Sequence, residues 1–235
     1  MVTVGIIGAM QLEIDALISK LEYVEEKISA RNKYYVGKLN DINVVITSSG
    51  VGKVNAASCT QILISEYKAG YIINTGIAGS MNDKVRISDI VISSDVVHHD
   101  VRQEQLLRCH PYEEVFKSDE LLMKLAIETV KEQKGFKQNY HIGRIASGEG
   151  FISSNVEKET IQNLLNPLCV EMEGSAIGHV SFMNDIPFVV IRSISDNADD
   201  KSTINYEEYE LQTAKQSAES VYKMIAKIRI YRELQ

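Results

Sequence analysis

The 235-residue sequence has little that would divide it. It contains three prolines (Pro111, Pro167, Pro187) and no Ser/Gly tract, repeat or low-complexity run. No linker is marked, so one domain spanning 1–235 is expected. Cysteine is scarce as well: Cys59, Cys109 and Cys169 are odd in number and form no CxxC pair. That excludes a disulfide framework and suits the reduced thiols of a cytoplasmic protein. His98, His99 and His110 near Cys109 lack the spacing of a zinc motif, so no metal or other cofactor is expected. No apolar run approaches the roughly 20 residues needed to cross a membrane. The N-terminus, MVTVGIIGAM, lacks a basic leader and reads as a strand. Cations are outnumbered, 25 against 32 acids for a net charge of −7, with no basic stripe. A nucleic-acid partner is therefore excluded, because phosphate contacts need clustered Lys and Arg.

What is present is a hydrophobic share of 44%, ample for a core, arranged in alternating strand and helix patterns. Apolar runs predict strands at 2–8, 33–39, 42–48, 71–75, 89–97, 142–147, 168–172 and 188–193. Asn40-Asp41 suits a hairpin turn between the second and third of these. Helical spacing predicts helices at 11–20, 53–67, 119–134, 155–165, 173–183 and 206–230. The order points to an α/β protein, a three-layer sandwich with a mixed central sheet flanked by helices.

Ligand sites in such folds gather beyond the carboxyl ends of strands. Glu13, Glu171, Glu173 and Asp196 all fall there, as do the segments NTGIAGS (74–80) and SGEGFIS (147–153). Each acid also has an ordinary explanation. Glu13 and Glu173 could simply favour the dipole of the helix they begin, and Asp196 could be a turn residue. Met10, Val51 and Phe151 could be plain core. Several acids recurring at one sheet edge are harder to explain that way, since paired carboxyl groups are what acid–base chemistry needs.

Six motifs in order, GIIGAMQLE (5–13), SSGVGKVNA (48–56), NTGIAGS (74–80), SGEGFIS (147–153), VEMEGSAIGHV (170–180) and PFVVIRSISDNAD (187–199), resemble the bacterial 5′-methylthioadenosine/S-adenosylhomocysteine nucleosidases of the nucleoside phosphorylase superfamily. The resemblance implies a nucleoside phosphorylase-like fold and hydrolysis of the adenine–ribose bond in 5′-substituted adenosines, as in methionine salvage and methyl-cycle recycling. It implies roles residue by residue. Glu13 would activate the attacking water, with Arg192 helping to hold that water, and Asp196, oriented by Ser195, would protonate N7 of the departing adenine. Glu173 would accept both ribose hydroxyls beside Met172. Phe151 would stack on adenine and the backbone of Ile152 would read its edge. Met10, Val51 and Tyr206 would line the 5′ slot, a setting that suits a soft methionine.

Phosphorylases of the same superfamily need cationic and hydroxyl donors around phosphate. Here Glu13 would repel that anion, and Ile77 stands where phosphorylases commonly offer serine, so water is the expected nucleophile. Many nucleosidases also carry serine at the position of Ile77, which bears on rate. A non-catalytic adenosine-binding or dinucleotide-binding domain is the other alternative, but GIIGAM is not G-x-G-x-x-G. Between Asp100 and Phe116 the likeness lapses. There Leu106, Leu107 and Tyr112 are candidates to cover the 5′ slot, or Arg102, Arg108 and His110 to favour a polar or carboxylate-bearing tail. The 5′ substituent is left open among methylthio, homocysteinyl and deoxy forms. The resemblance further implies a homodimer.

Overall fold

In the computed structural model, residues 2–132 and 139–233 are described. The predicted helix at 119–134 therefore lies partly outside them. The apolar run at the N-terminus forms β1 (Thr3–Gly8), which sits inside the sheet with parallel neighbours on both sides. It turns through Ala9 and Met10 into α1 (Gln11–Ile18). A meander follows: β2 (Glu22–Ser29), β3 (Asn32–Leu39) and β4 (Ile42–Ser48). Leu39 pairs directly with Ile42, and Asn40 and Asp41 have φ of 50° and 63°. This is the two-residue turn that both residue types tolerate and that matches the twist of a hairpin. β2 was not predicted. Seven of its eight residues are exposed, so it shows no apolar alternation, and its charged face suits a sheet edge.

The chain continues through α2 (Lys53–Ser65), β5 (Ala69–Ser80), β6 (Ile90–His98), the short α3 (Gln103–Arg108) and β7 (Phe116–Lys117). Then come α4 (Glu120–Glu132), β8 (Tyr140–Ser147), α5 (Asn155–Leu165) and β9 (Cys169–Glu171). The last elements are α6 (Gly174–Met183), β10 (Phe188–Asp196) and α7 (Ser202–Glu233). β5 runs on through NTGIAGS, past the end of the strand predicted at 71–75; its side chains are buried, and the segment pairs with β10 up to Gly79.

The strands form one mixed sheet in the order β10-β6-β8-β9-β5-β1-β4-β3-β2, with β7 beside β6. β10 also pairs with β5, so that end of the sheet closes on itself while β1, β4, β3 and β2 extend from it. Side chains alternate across the strands as the pleat demands. Val189 and Ile191 of β10 join a core with α1, α4 and α7 on one face. Phe188 and Val190 join a second core with α2 and α6 on the other. The three layers expected from the sequence are present. Among the described residues, no helix is long and apolar enough to cross a membrane.

Candidate active site

A cavity of about 450 Å³ opens where the β1–α1 turn, the end of β5, the β9–α6 turn and the end of β10 meet. Glu13, Glu173 and Asp196 all face it, together with Met10, Val51, Ile77, Phe151, Met172, Ser195 and Tyr206. Ile152 lines a smaller cavity that shares Phe151, Met172 and Asp196 with the first. Arg192 lines neither; it lies behind the wall.

Glu13 is 2% exposed and sits one turn into α1. Its Oε2 accepts the N–H groups of Ala9 (2.6 Å) and Met10 (2.9 Å), so it does cap its helix. Its Oε1 is held separately, by the N–H of Ile77 at 3.0 Å. Burial raises the carboxyl above its ordinary value, against the opposing pull of Arg192 and these three N–H groups. Gly76 makes the approach possible: a Cβ there would lie 2.5 Å from Glu13 Oε1 and closer still to Arg192 Nη1. The Ile77 side chain is 7% exposed and gives the cavity an apolar surface beside this carboxylate.

The dipole role suggested for Glu173 belongs instead to Glu171. Glu171 accepts the N–H of Glu173 (3.2 Å) and of Gly174 (2.8 Å) at the start of α6. It also accepts from the Ser147 hydroxyl and from the Arg192 guanidinium. Glu173 is thereby released to turn toward the cavity, where its Oε1 accepts the N–H of Gly52 at 2.9 Å. Burial, reinforced by neighbouring Glu171, pushes the Glu173 carboxyl up to about 8. Arg192 lies 3.6 Å from Glu173 and donates to Asn74 Oδ1 at 2.7 Å. Burial works against its charge, but Glu171, Glu173 and Glu13 more than compensate and raise its pKa further. Its Nε and Nη1 have no protein partner. Glu171, Asn74 and Ser147 are thus parts of the site to which the sequence assigned no role. Only their positions at strand ends hinted at one.

Asp196 ends β10 and is 1% exposed. Its Oδ1 accepts the Ala198 N–H at 2.8 Å, a turn-type bond, and its Oδ2 accepts the Ser195 hydroxyl at 2.9 Å. Burial raises its carboxyl above the ordinary aspartate value, against these hydrogen bonds. The protonated form is therefore more accessible than on an exposed aspartate. On the apolar side, Phe151 meets Tyr206 edge to face with centroids 5.7 Å apart, and the Tyr206 hydroxyl reaches Met10 Sδ at 3.2 Å.

The segment 100–116 contributes no lining residue to this cavity. Leu107 and Tyr112 are 48% and 66% exposed, and Arg102, Arg108 and His110 are exposed as well. Neither set of candidates covers the slot within one chain. His98 instead turns inward, with Nδ1 at 2.7 Å from Ser175 Oγ and Nε2 at 3.3 Å from His179 Nδ1. Among the described residues no cluster of His, Cys, Asp or Glu is arranged to hold a metal.

Residues 3–228 match the family model of the phosphorylase superfamily. A curated relative from Staphylococcus haemolyticus (strain JCSC1435), a 5′-methylthioadenosine/S-adenosylhomocysteine nucleosidase, is 40% identical over 94% of this chain and 98% of its own. A nucleosidase of the same name from Geobacillus sp. (strain WCH70) is 36% identical over 96% and 99%. Among solved structures, the corresponding nucleosidase of Neisseria meningitidis in complex with methylthio-immucillin-A superposes with a TM-score of 0.91 at 32% identity, covering 97% of this chain and 100% of that one. That of S. pneumoniae with a transition-state inhibitor, MT-ImmA, gives 0.88 at 30% identity over 95% and 98%.

Proposed function

Because the chain belongs to the phosphorylase superfamily, within its 5′-methylthioadenosine/S-adenosylhomocysteine nucleosidases, we propose that it hydrolyses the N-glycosidic bond of 5′-substituted adenosines and releases adenine. The observation that carries the reading is that Glu13, Glu173 and Asp196 line one largely apolar cavity, with Glu13 and Asp196 both raised by burial.

Cleavage needs a proton for the leaving base, negative charge near the sugar as it becomes cationic, and an activated water. In the proposed reaction, protonated Asp196, aligned by Ser195, gives its proton to N7 as the C1′–N9 electron pair withdraws into adenine. Glu173 accepts the ribose hydroxyls, whose donation favours its ionised form. Glu13 takes a proton from water as the water oxygen bonds to C1′, and its raised pKa suits a base working near neutrality. The proton then returns from Glu13 to Asp196 through solvent. Arg192, behind the cavity wall, acts on the water through Glu13, whose ionised form its charge favours. Phe151 stacks on the base, the Ile152 backbone meets its polar edge, and Met172 packs beside the ribose. Met10, Val51 and Tyr206 form the 5′ slot. No cofactor is required by these steps.

Glu13 and Ile77 argue against phosphate as nucleophile, the first by charge and the second by offering no hydroxyl. We further propose that the chain acts as one domain, 1–235, in the cytoplasm and as a homodimer. The exposed Leu107 and Tyr112 would face a second copy near the 5′ slot that the single chain leaves open. The test is adenine release from 5′-methylthioadenosine, S-adenosylhomocysteine and 5′-deoxyadenosine in phosphate-free, chelator-treated buffer. Release without phosphate supports the reading. Release only on adding phosphate would establish a phosphorylase, and binding without release an adenosine-binding protein.

A further inference from the structure

Glu149, within SGEGFIS, has no part in the steps above, yet its side chain lies against the backbone that holds Glu173. Its Oε1 accepts the N–H of Lys53 at 3.0 Å. The preceding N–H, that of Gly52, is the one donated to Glu173 Oε1 at 2.9 Å. Two consecutive N–H groups at the start of α2 are thus held by two carboxylates from different parts of the chain. Gly52 has φ of +100°, a conformation open to glycine and strained for other residues. A glycine is also the residue least able to hold one orientation by itself. The Glu149 carboxylate sits close over it, since a Cβ on Gly52 would come within 2.7 Å of Oε2.

Glu149 is itself anchored. Its N–H donates to Asp100 Oδ2 at 3.0 Å, and the other oxygen of Asp100 pairs with the Lys53 ammonium. Lys53, Glu149 and Asp100 therefore close a ring that ties together the segments following β4, β8 and β6. Val51 and Phe151, on two of those segments, line the cavity.

We propose that Glu149 is a positioning residue for the ribose. It fixes the Gly52–Lys53 backbone so that the Gly52 N–H faces Glu173 and orients that carboxylate for the sugar hydroxyls. The inference rests on the reading of Glu173 as the ribose acceptor. Loss of the Glu149 side chain frees the Lys53 N–H and leaves the Gly52 backbone to the Asn55 side-chain bond to Val51 O and the Ala56 N–H bond to Gly52 O, so the Gly52 N–H is aimed less firmly at Glu173. The Asp100 bond to the Glu149 backbone survives, so Phe151 keeps its place. The grip on ribose weakens while the adenine subsite stays intact.

The test compares Glu149→Ala, Glu149→Gln, Glu173→Gln and the double variant Glu149→Ala/Glu173→Gln. Glu149→Ala is expected to raise KM for 5′-methylthioadenosine about tenfold while leaving inhibition by free adenine within about twofold. Glu149→Gln restores KM, because its amide oxygen accepts the same N–H. In the Glu173→Gln background, Glu149→Ala adds little, the non-additivity expected of residues acting as one unit. A wild-type KM in Glu149→Ala, equal weakening of adenine and nucleoside, or additive effects in the double variant would each overturn the proposal. So would a lowered unfolding temperature with unchanged KM. Wild-type kinetics in Glu173→Gln alone would show instead that the ribose assignment is wrong, and the proposal would fall with it.

Discussion

The Arg192 guanidinium donates, from behind the cavity wall, to the Glu171 carboxylate that lines it, and the two side chains are 1% and 2% exposed. Neither charge is left to this contact alone. Asn74 shares the arginine, while Ser147 and the first N–H groups of α6 share the glutamate. Removing one member of such a pair strands the other in a medium that solvates it poorly and costs about 3–5 kcal/mol. Glu171→Ala is therefore expected to lower the thermal midpoint by roughly 10 °C, given the size of the protein. It should also reduce activity, because α6 and Glu173 lose their anchor. Differential scanning calorimetry checks this. A midpoint unchanged in Glu171→Ala would mean that the pair contributes nothing net.

Asp196 makes two hydrogen bonds through groups that an amide oxygen can also satisfy in part. Asp196→Asn should then fold normally and still bind nucleoside, but it has no acidic proton for N7. Its kcat should fall by about 10²–10⁴, the usual worth of a general acid. Steady-state kinetics beside a substrate-binding titration separates the two effects; near-normal kcat would remove Asp196 from the role. In the wild type, activity should rise with pH as Glu13 ionises and fall as Asp196 deprotonates. Both limbs should be displaced upward because burial raises both groups. Glu13→Gln should lose the acidic limb together with most of the rate.

Gly76 is a requirement of geometry rather than of turn formation. The pairing of β5 with β10 sets Gly76 beside Arg192, and Glu13 crosses directly over its Cα. Gly76→Ala should displace Glu13 or Arg192 and lower kcat by about 10²-fold, the scale on which misplacement by an ångström acts. Wild-type kcat in Gly76→Ala would show that the site tolerates the shift.

These residues mark where sequence reading succeeds and where it stops. β1, the Asn40-Asp41 hairpin and α5 were legible because apolar period and turn chemistry are local signals, and α5 (Asn155–Leu165) matches its predicted range at both ends. β2 was not, because an exposed edge strand has no buried face to write a pattern. α3 was too short to show one. In the candidate site, Glu13, Glu173 and Asp196 stood out by position and motif, and the cavity brings them together. The roles of Glu171, Asn74 and Gly76 arise from contacts between strands distant in sequence, which no local pattern records. The exchange between Glu173 and Glu171 is the clearest case. Both lie at the start of one helix, and only the folded chain shows which one caps it.

Glu173 also makes the stability of the ligand-free protein depend on pH. Its carboxyl is pushed up to about 8 in the folded state, against an ordinary glutamate value of about 4.3. The folded chain thus binds a proton that the unfolded chain releases between these values. The stability from this group is full below about pH 4 and is lost as pH rises toward 8. Glu173→Gln, which cannot ionise, should have a thermal midpoint close to wild type at pH 5 and a higher one at pH 8. A wild-type advantage at pH 8 would contradict this.

The central claim, that water attacks the sugar of a 5′-substituted adenosine, is tested most directly by turnover of 5′-methylthioadenosine in ¹⁸O-labelled water, with and without phosphate. The account predicts adenine and a free methylthioribose carrying the label at C1, formed at the same rate in both conditions. A sugar 1-phosphate without label, formed only when phosphate is present, would contradict it.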